Sequence, residues 1–142
     1  DGLTAGDSGL GGVTIFIDLD EDGAFDPLVD EFTTTAADGT WSFTGLDASY
    51  AGLVVYEVEP DGYVQTLGQA GYVITGTSGT DQSGLDFANF DLFDISGTKF
   101  EDANGDGLTA GDSGLGGVTI FIDLDEDGAF DPLVDQFNNT AA

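Results

Sequence analysis

Residues Asp1–Asp30, DGLTAGDSGLGGVTIFIDLDEDGAFDPLVD, recur without change at Asp106–Asp135. The match runs on to Ala142 with only Glu31→Gln136, Thr33→Asn138 and Thr34→Asn139 differing. The offset is 105 residues, so the 142-residue chain holds one full period and the opening of the next. Solenoid coils repeat at roughly 20–50 residues, too short for this spacing. A period of 105 residues is instead the size of one ordinary domain. The chain therefore reads as a window on a tandem array. Residues 1–93 form one repeat lacking its first strand, and residues 94–142 form the N-terminal part of the next.

An apolar share of 40% is enough to build a core and argues against wholesale disorder. Against 28 acidic side chains stands one basic residue, Lys99, and there is no His; the net charge is −27. Such a polyanion opposes its own compaction, so something cationic must offset it. The same charge excludes nucleic acid and anionic membrane surfaces as partners. The absence of Cys rules out disulfides and thiolate metal sites. A small domain without disulfides needs another staple, and a metal ion is the natural one. No apolar run approaches the ~20 residues that span a bilayer, so membrane insertion is not expected.

The hydrophobic pattern is that of strands. Val13–Ile17 and its copy Val118–Ile122 are short β-branched runs between Gly-Gly and Asp clusters. Asp38-Gly39 is a hairpin turn signal, predicted to join Phe32–Thr35 to a strand at Thr40–Thr44 in which Trp41 and Phe43 alternate with polar residues. Leu53–Glu59, Tyr72–Thr75, Leu85–Phe93 and Ile95–Phe100 complete the expected set. No window carries a period of 3.6. Strands every 8–12 residues with turn residues between them predict an all-β fold, an antiparallel Ig-like or prealbumin-like β-sandwich. Only Asp94 separates Phe93 from Ile95, so successive units are expected to be held stiffly.

Two segments per unit concentrate the carboxylates. In the first, Asp102, Asn104 and Asp106 occupy positions 1, 3 and 5 ahead of Gly107 at 6, the front half of an EF-hand calcium loop. A turning loop aims every second side chain at one centre, Gly107 permits the bend, and the Leu108 carbonyl falls at position 7. The closing carboxylate is Asp112, at position 11 rather than 12. Of this loop the first copy retains Asp1, Leu3 and Asp7. The second segment places Asp123, Asp125, Asp127 and Asp131 at positions 1, 3, 5 and 9, with the Ala129 carbonyl at 7 and Asp135 as the closing ligand. Its twin offers Asp18, Asp20, Asp22, Ala24, Asp26 and Asp30. An all-oxygen donor set suits Ca²⁺ better than Mg²⁺, which keeps its waters, or Zn²⁺, whose His and Cys ligands are missing. The competing reading is a set of solvated acidic turns, since Asp and Gly favour turns for their own reasons.

ISGTKFEDANGDG, GLGGVTIFIDLDEDG, DGTWSFTGL and YEVEPDGY, in that order, resemble the calcium-binding B repeats of staphylococcal serine-aspartate surface proteins. More widely they are similar to the collagen-adhesin B-type, prealbumin-like modules of bacterial surface proteins. The resemblance covers the whole period. It implies a seven-stranded or similar β-sandwich, several bound Ca²⁺ ions, and a secreted, cell-surface location. It also implies a rigid stalk that holds a tip for a host or matrix ligand away from the cell. Metal ligation is carried onto Asp102, Asn104, Asp106 and Asp112, and onto Asp123, Asp125, Asp127 and Asp131. Some relatives form an internal Lys–Asn isopeptide bond beside a carboxylic acid. Lys99, Asn89 and Glu57 supply those residue types here, but Phe100 reads as the inward residue, which turns Lys99 toward solvent.

With neither His nor Cys, only carboxylate pairs could catalyse, and those are explained as loop ligands; no enzymatic activity is expected. A carbohydrate- or protein-binding module built on Trp41, Tyr50, Tyr56 and Tyr63 is one alternative. Another is a self-assembling extracellular filament completed by strand exchange between copies. The expected partners are neighbouring repeats or copies of the chain itself.

Overall fold

A computed structural model describes residues 6–141. The chain divides into two units, Asp1–Phe93 and Asp94–Ala142, each described below by itself. Asp1 and Leu3 lie outside the described residues.

In the first unit the strands are β1 (Thr14–Asp18), β2 (Glu31–Thr34), β3 (Val54–Glu57), β4 (Tyr63–Leu67), β5 (Tyr72–Val73) and β6 (Ala88–Asp91). Four of them form an antiparallel sheet in the order β2-β1-β3-β5, and β4 pairs with β6 in a second ladder. All pairing is antiparallel, consistent with a β-sandwich. β1 is central because its residues satisfy both faces. Ile15 and Ile17, 1% and 0% exposed, face a core shared with Val13, Val55 and Ile74. Phe16 points the other way and stacks against Phe25 and Tyr56, at centroid distances of 5.2 and 5.7 Å. Leu10, Trp41, Phe43, Leu46, Tyr50, Leu53 and Phe87 pack around the core.

The second unit contains β7 (Phe100–Glu101), β8 (Ser113–Gly114), β9 (Thr119–Ile122) and β10 (Gln136–Asn139). β7 pairs with β8, and β9 with β10. The β9–β10 hairpin repeats the register of β1–β2: Phe121 faces Phe137 as Phe16 faces Phe32. The burial differs. β1 is almost wholly buried, whereas every residue of β9 is exposed. β3 flanks β1, and β9 has no such neighbour among the described residues.

Several strand expectations change. Thr40–Thr44 forms no strand. The Asp38-Gly39 turn closes locally, with Gly39 N–H donating to the Ala36 carbonyl at 2.8 Å and Asp38 Oδ1 accepting from the Thr40 hydroxyl at 2.7 Å. The chain then crosses to the core, where Trp41 packs on Phe43 and Phe87, each at 6.0 Å. Aromatic burial has overridden the hairpin signal. The turn also meets Gly9 so closely that a Cβ there would lie 1.8 Å from the Asp38 carbonyl oxygen; only glycine fits. The expected strands at Leu53–Glu59, Tyr72–Thr75 and Leu85–Phe93 shorten to β3, β5 and β6, and of the expected Ile95–Phe100 only Phe100 lies in a strand, β7, which runs on to Glu101. β4 and β8 are additional: Tyr63–Leu67 follows the Pro60-Asp61-Gly62 turn, and Ser113–Gly114 is too short and polar to carry a strand signature.

Candidate metal centres

The acidic loop between β1 and β2 is built by its own carboxylates. Asp18, buried at the end of β1, accepts the Asp22 and Gly23 N–H groups at 3.2 and 2.9 Å. Buried Asp30 accepts Leu19 N–H at 3.0 Å and Asp26 N–H at 2.8 Å, tying the two ends of the loop together. Asp22 accepts Ala24 N–H, and Asp26 accepts Leu28 N–H, both at 2.8 Å. Phe25 anchors the loop against Phe16 and Phe32, each at 5.2 Å. Gly23 takes φ = +77°, the left-handed bend required at position 6 of the loop, and Glu21 also lies there at +59°.

The loop between β9 and β10 repeats this network bond for bond. Asp123 accepts Asp127 and Gly128 N–H at 3.3 and 2.8 Å, and Asp135 accepts Leu124 and Asp131 N–H at 3.0 and 2.8 Å. Asp127 and Asp131 again accept Ala129 and Leu133 N–H. Since β9 lacks the burial of β1, the loop conformation is set by local sequence and not by the core beneath it.

Each copy gathers three carboxylates whose oxygens lie within 4.8 Å of one another: Asp18, Asp20 and Asp22 in the first unit, Asp123, Asp125 and Asp135 in the second. At the repeat offset both trios come from one set of four positions, 18/123, 20/125, 22/127 and 30/135. Asp26 and Asp131 stand outside the trios and cap the turn leading into Asp30 and Asp135. Ala24 and Ala129 contribute their N–H groups to the bend. A hollow of about 300 Å³, lined by Asp18, Asp22, Gly23, Leu53 and Tyr56, opens beside the first trio.

The donor set fits a hard cation: all oxygen, mostly charged, and crowded. Crowding is visible in Asp20, whose pKa is raised above the ordinary aspartate value by desolvation and then by the charges of Asp22, Asp30 and Asp18. In contrast the Gly128 N–H, foremost, holds the Asp123 carboxyl below its ordinary value.

The 102–112 loop is shaped in the same way but is not gathered. Asp102 accepts Gly105, Asp106 and Gly107 N–H at 2.7, 3.2 and 2.9 Å, which lowers its pKa, chiefly through Gly107. Asp106 accepts Leu108 N–H at 2.7 Å, and Asn104 donates to Asp106 at 2.9 Å. Asp112 is not drawn into a carboxylate trio with Asp102 and Asp106. Its Oδ2, however, is buried without a hydrogen-bond partner, the lone such side-chain atom among the described residues. An orphaned buried carboxylate oxygen fits a cation ligand. Asp7, the Asp112 counterpart, is exposed.

Glu31 lies outside the loop. It starts β2 and accepts the Tyr50 hydroxyl at 2.7 Å.

Glu57, in β3, accepts from Asn89 of β6 at 2.5 Å, joining the two sheets of the first unit. Lys99 belongs to the second unit, is exposed, and donates to the Phe100 carbonyl. Partial burial raises the Glu57 pKa above its ordinary value; the Asn89 bond opposes this and the Glu59 charge adds to it. A carboxyl with a raised folded-state pKa binds its proton more firmly when folded, so its stabilisation is present in acid and lost as pH rises through the folded value. Glu57→Gln keeps an oxygen facing Asn89 and removes the charge. It is expected to flatten that part of the pH–stability curve and to raise the melting midpoint at neutral pH; a lower midpoint would show that the ionised form is the stabilising one.

No protein-family model, curated protein or solved structure matches this chain. Among the described residues no helix is long and apolar enough to cross a membrane.

Proposed function

We propose that this chain is a calcium-stabilised structural repeat of a secreted bacterial surface or matrix protein, in which a tandem array of Ig-like or prealbumin-like units serves as a stiff spacer in adhesion or biofilm. The observation that carries this reading is the duplicated acidic latch. Two copies of one sequence, one on a buried strand and one on an exposed strand, adopt the same carboxylate-to-backbone network. Each brings three carboxylates within reach of a single ion. Oxygen donors at this density favour Ca²⁺, which accepts six to eight ligands in flexible geometry. Without it the loop carboxylates repel one another.

The Trp41 face gives little support to a carbohydrate-stacking module: Trp41 is engaged with Phe43 and Phe87, and the Tyr50 hydroxyl with Glu31. A spacer must resist load, so force spectroscopy on a polyprotein of full repeats is the functional test. Unfolding force is expected to fall when calcium is chelated and to recover when it is restored. Equal forces in both conditions would remove the calcium-stiffened spacer from consideration.

A further inference from the structure

Position 3 of the 102–112 loop is Asn104, where the 123–135 loop has Asp125. Gly105 follows it, the one Asn-Gly pair of the chain; Asn89, Asn138 and Asn139 precede Phe90, Asn139 and Thr140. The main-chain nitrogen after an asparagine can attack the side-chain amide carbon and close a five-membered ring. A side chain on the following residue obstructs that approach, and glycine has none. Gly105 takes φ = +72°, with no heavy atom within 4 Å of where a Cβ would stand.

The loop holds both reacting groups. Asn104 Oδ1 accepts the Asp106 N–H at 3.0 Å, a donor shared with Asp102 Oδ1 at 3.2 Å, and Asn104 Nδ2 donates to Asp106 Oδ2 at 2.9 Å. The donor on Oδ1 stands where negative charge builds up as the ring closes, which favours attack at Cγ. Gly105 N–H donates to Asp102 Oδ1 at 2.7 Å. That bond engages the nucleophile and restrains it, since the nitrogen must lose its proton and turn from Asp102 toward Cγ. All these bonds lie within residues 102–106, and Asn104 is exposed to the water that the reaction consumes. The other asparagines are held in ladders: Asn89 lies in β6 and donates to Glu57, and Asn138 and Asn139 lie in β10. Asp106-Gly107 and Asp127-Gly128 offer the same glycine, but an ionised carboxylate is a poor electrophile.

We propose that Asn104–Gly105 is a site of spontaneous deamidation, held back by the Asp102 carboxylate. The Gly105 nitrogen gives its proton to solvent and bonds to Asn104 Cγ. The Cγ–Nδ2 bond breaks, and the side-chain nitrogen leaves as ammonia with a proton from solvent. Water then opens the succinimide, its hydroxyl going to one carbonyl carbon and its proton to the Gly105 nitrogen. Opening at Cγ leaves aspartate, which gives this loop the three carboxylates that the other has in Asp123, Asp125 and Asp127. Opening at the main-chain carbonyl leaves isoaspartate, whose extra main-chain carbon and shortened side chain disrupt the bonds to Asp106. The 123–135 loop, with Asp125-Glu126 at the matching place, cannot undergo this change. No cation enters the step, which stands apart from the calcium reading.

The test is peptide mapping by mass spectrometry of the whole 142-residue chain, aged in warm neutral buffer with chelator, with ammonia release followed in parallel. Asn104→Asp supplies the chromatographic standard that separates aspartate from isoaspartate. Conversion is expected at position 104 at least about tenfold faster than at 89, 138 or 139. Asn104→Gln should abolish the early ammonia release, because its ring would need one more member. Asp102→Ala should speed conversion several-fold, and Asp102→Asn, which keeps a weaker acceptor, should do so less. An Asn104 that stays intact under ageing that deamidates a free peptide of residues 102–107 overturns the proposal, as does conversion spread evenly over the asparagines. An unchanged or slower rate in Asp102→Ala overturns the restraint assigned to Asp102.

Discussion

Removing calcium is expected to lower the melting midpoint of the first unit by about 10–20 °C. A ligand that binds only the folded state at a hundredfold excess over its Kd adds about 2.7 kcal/mol per site. For a domain of this size each kcal/mol moves the midpoint by roughly 4–8 °C. Trp41 is the sole tryptophan of the chain and packs on the core of this unit, so its fluorescence reports that transition. The physical source of the effect is the loop itself: Asp18 and Asp30 are held in place by backbone N–H groups, and three carboxylates are brought together. Calcium should restore the midpoint, and magnesium should do so less well because it retains its waters. A melt that chelator leaves unchanged would place these loops among ordinary solvated turns.

The second large effect needs no metal. Ile17→Ala is expected to destabilise the first unit by about 2–5 kcal/mol, the usual cost of emptying a buried isoleucine site. The same substitution at the duplicated position, Ile122→Ala, should change stability by no more than about 0.5 kcal/mol, as at a typical surface site. Ile17 is 0% exposed and Ile122 is 43% exposed, although the residues around them in sequence are identical. Urea unfolding followed by Trp41 fluorescence for the first substitution, and by circular dichroism for the second, measures both. Similar losses at the two positions would mean that β9 is covered in solution.

That contrast also explains how much the sequence discloses. β1 and β9, with their paired strands β2 and β10, were legible because alternation and turn residues act over a few neighbours. The acidic loops were legible for the same reason: Asp18, Asp22 and Gly23, or Asp123, Asp127 and Gly128, bond within five residues of one another. Asp30 and Asp135 follow from loop-position counting, though their role in tying the loop ends became evident only from their bonds to Leu19 and Leu124. Long-range pairing was less accessible. Thr40–Thr44 carries a strand pattern, yet Trp41 is drawn to Phe87, far along the chain. β4 pairs with β6 across 20-odd residues, and nothing in Tyr63–Leu67 alone announces that partner. The Glu57–Asn89 bond joins two sheets and is likewise invisible to local reading, although both residue types are evident in the sequence.

The central claim is that each copy of the duplicated loop is a calcium site. Isothermal titration calorimetry of the 142-residue chain with calcium, beside Asp20→Asn and Asp125→Asn variants, tests it most directly. Both side chains belong to the trios, and neither is among the carboxylates that hold the backbone bends, so their removal should spare the fold. The expected result is saturable binding of at least one ion per loop copy, with each substitution weakening or deleting one site and leaving the other intact. Absence of calcium binding, or isotherms identical in the parent and both variants, would contradict the account.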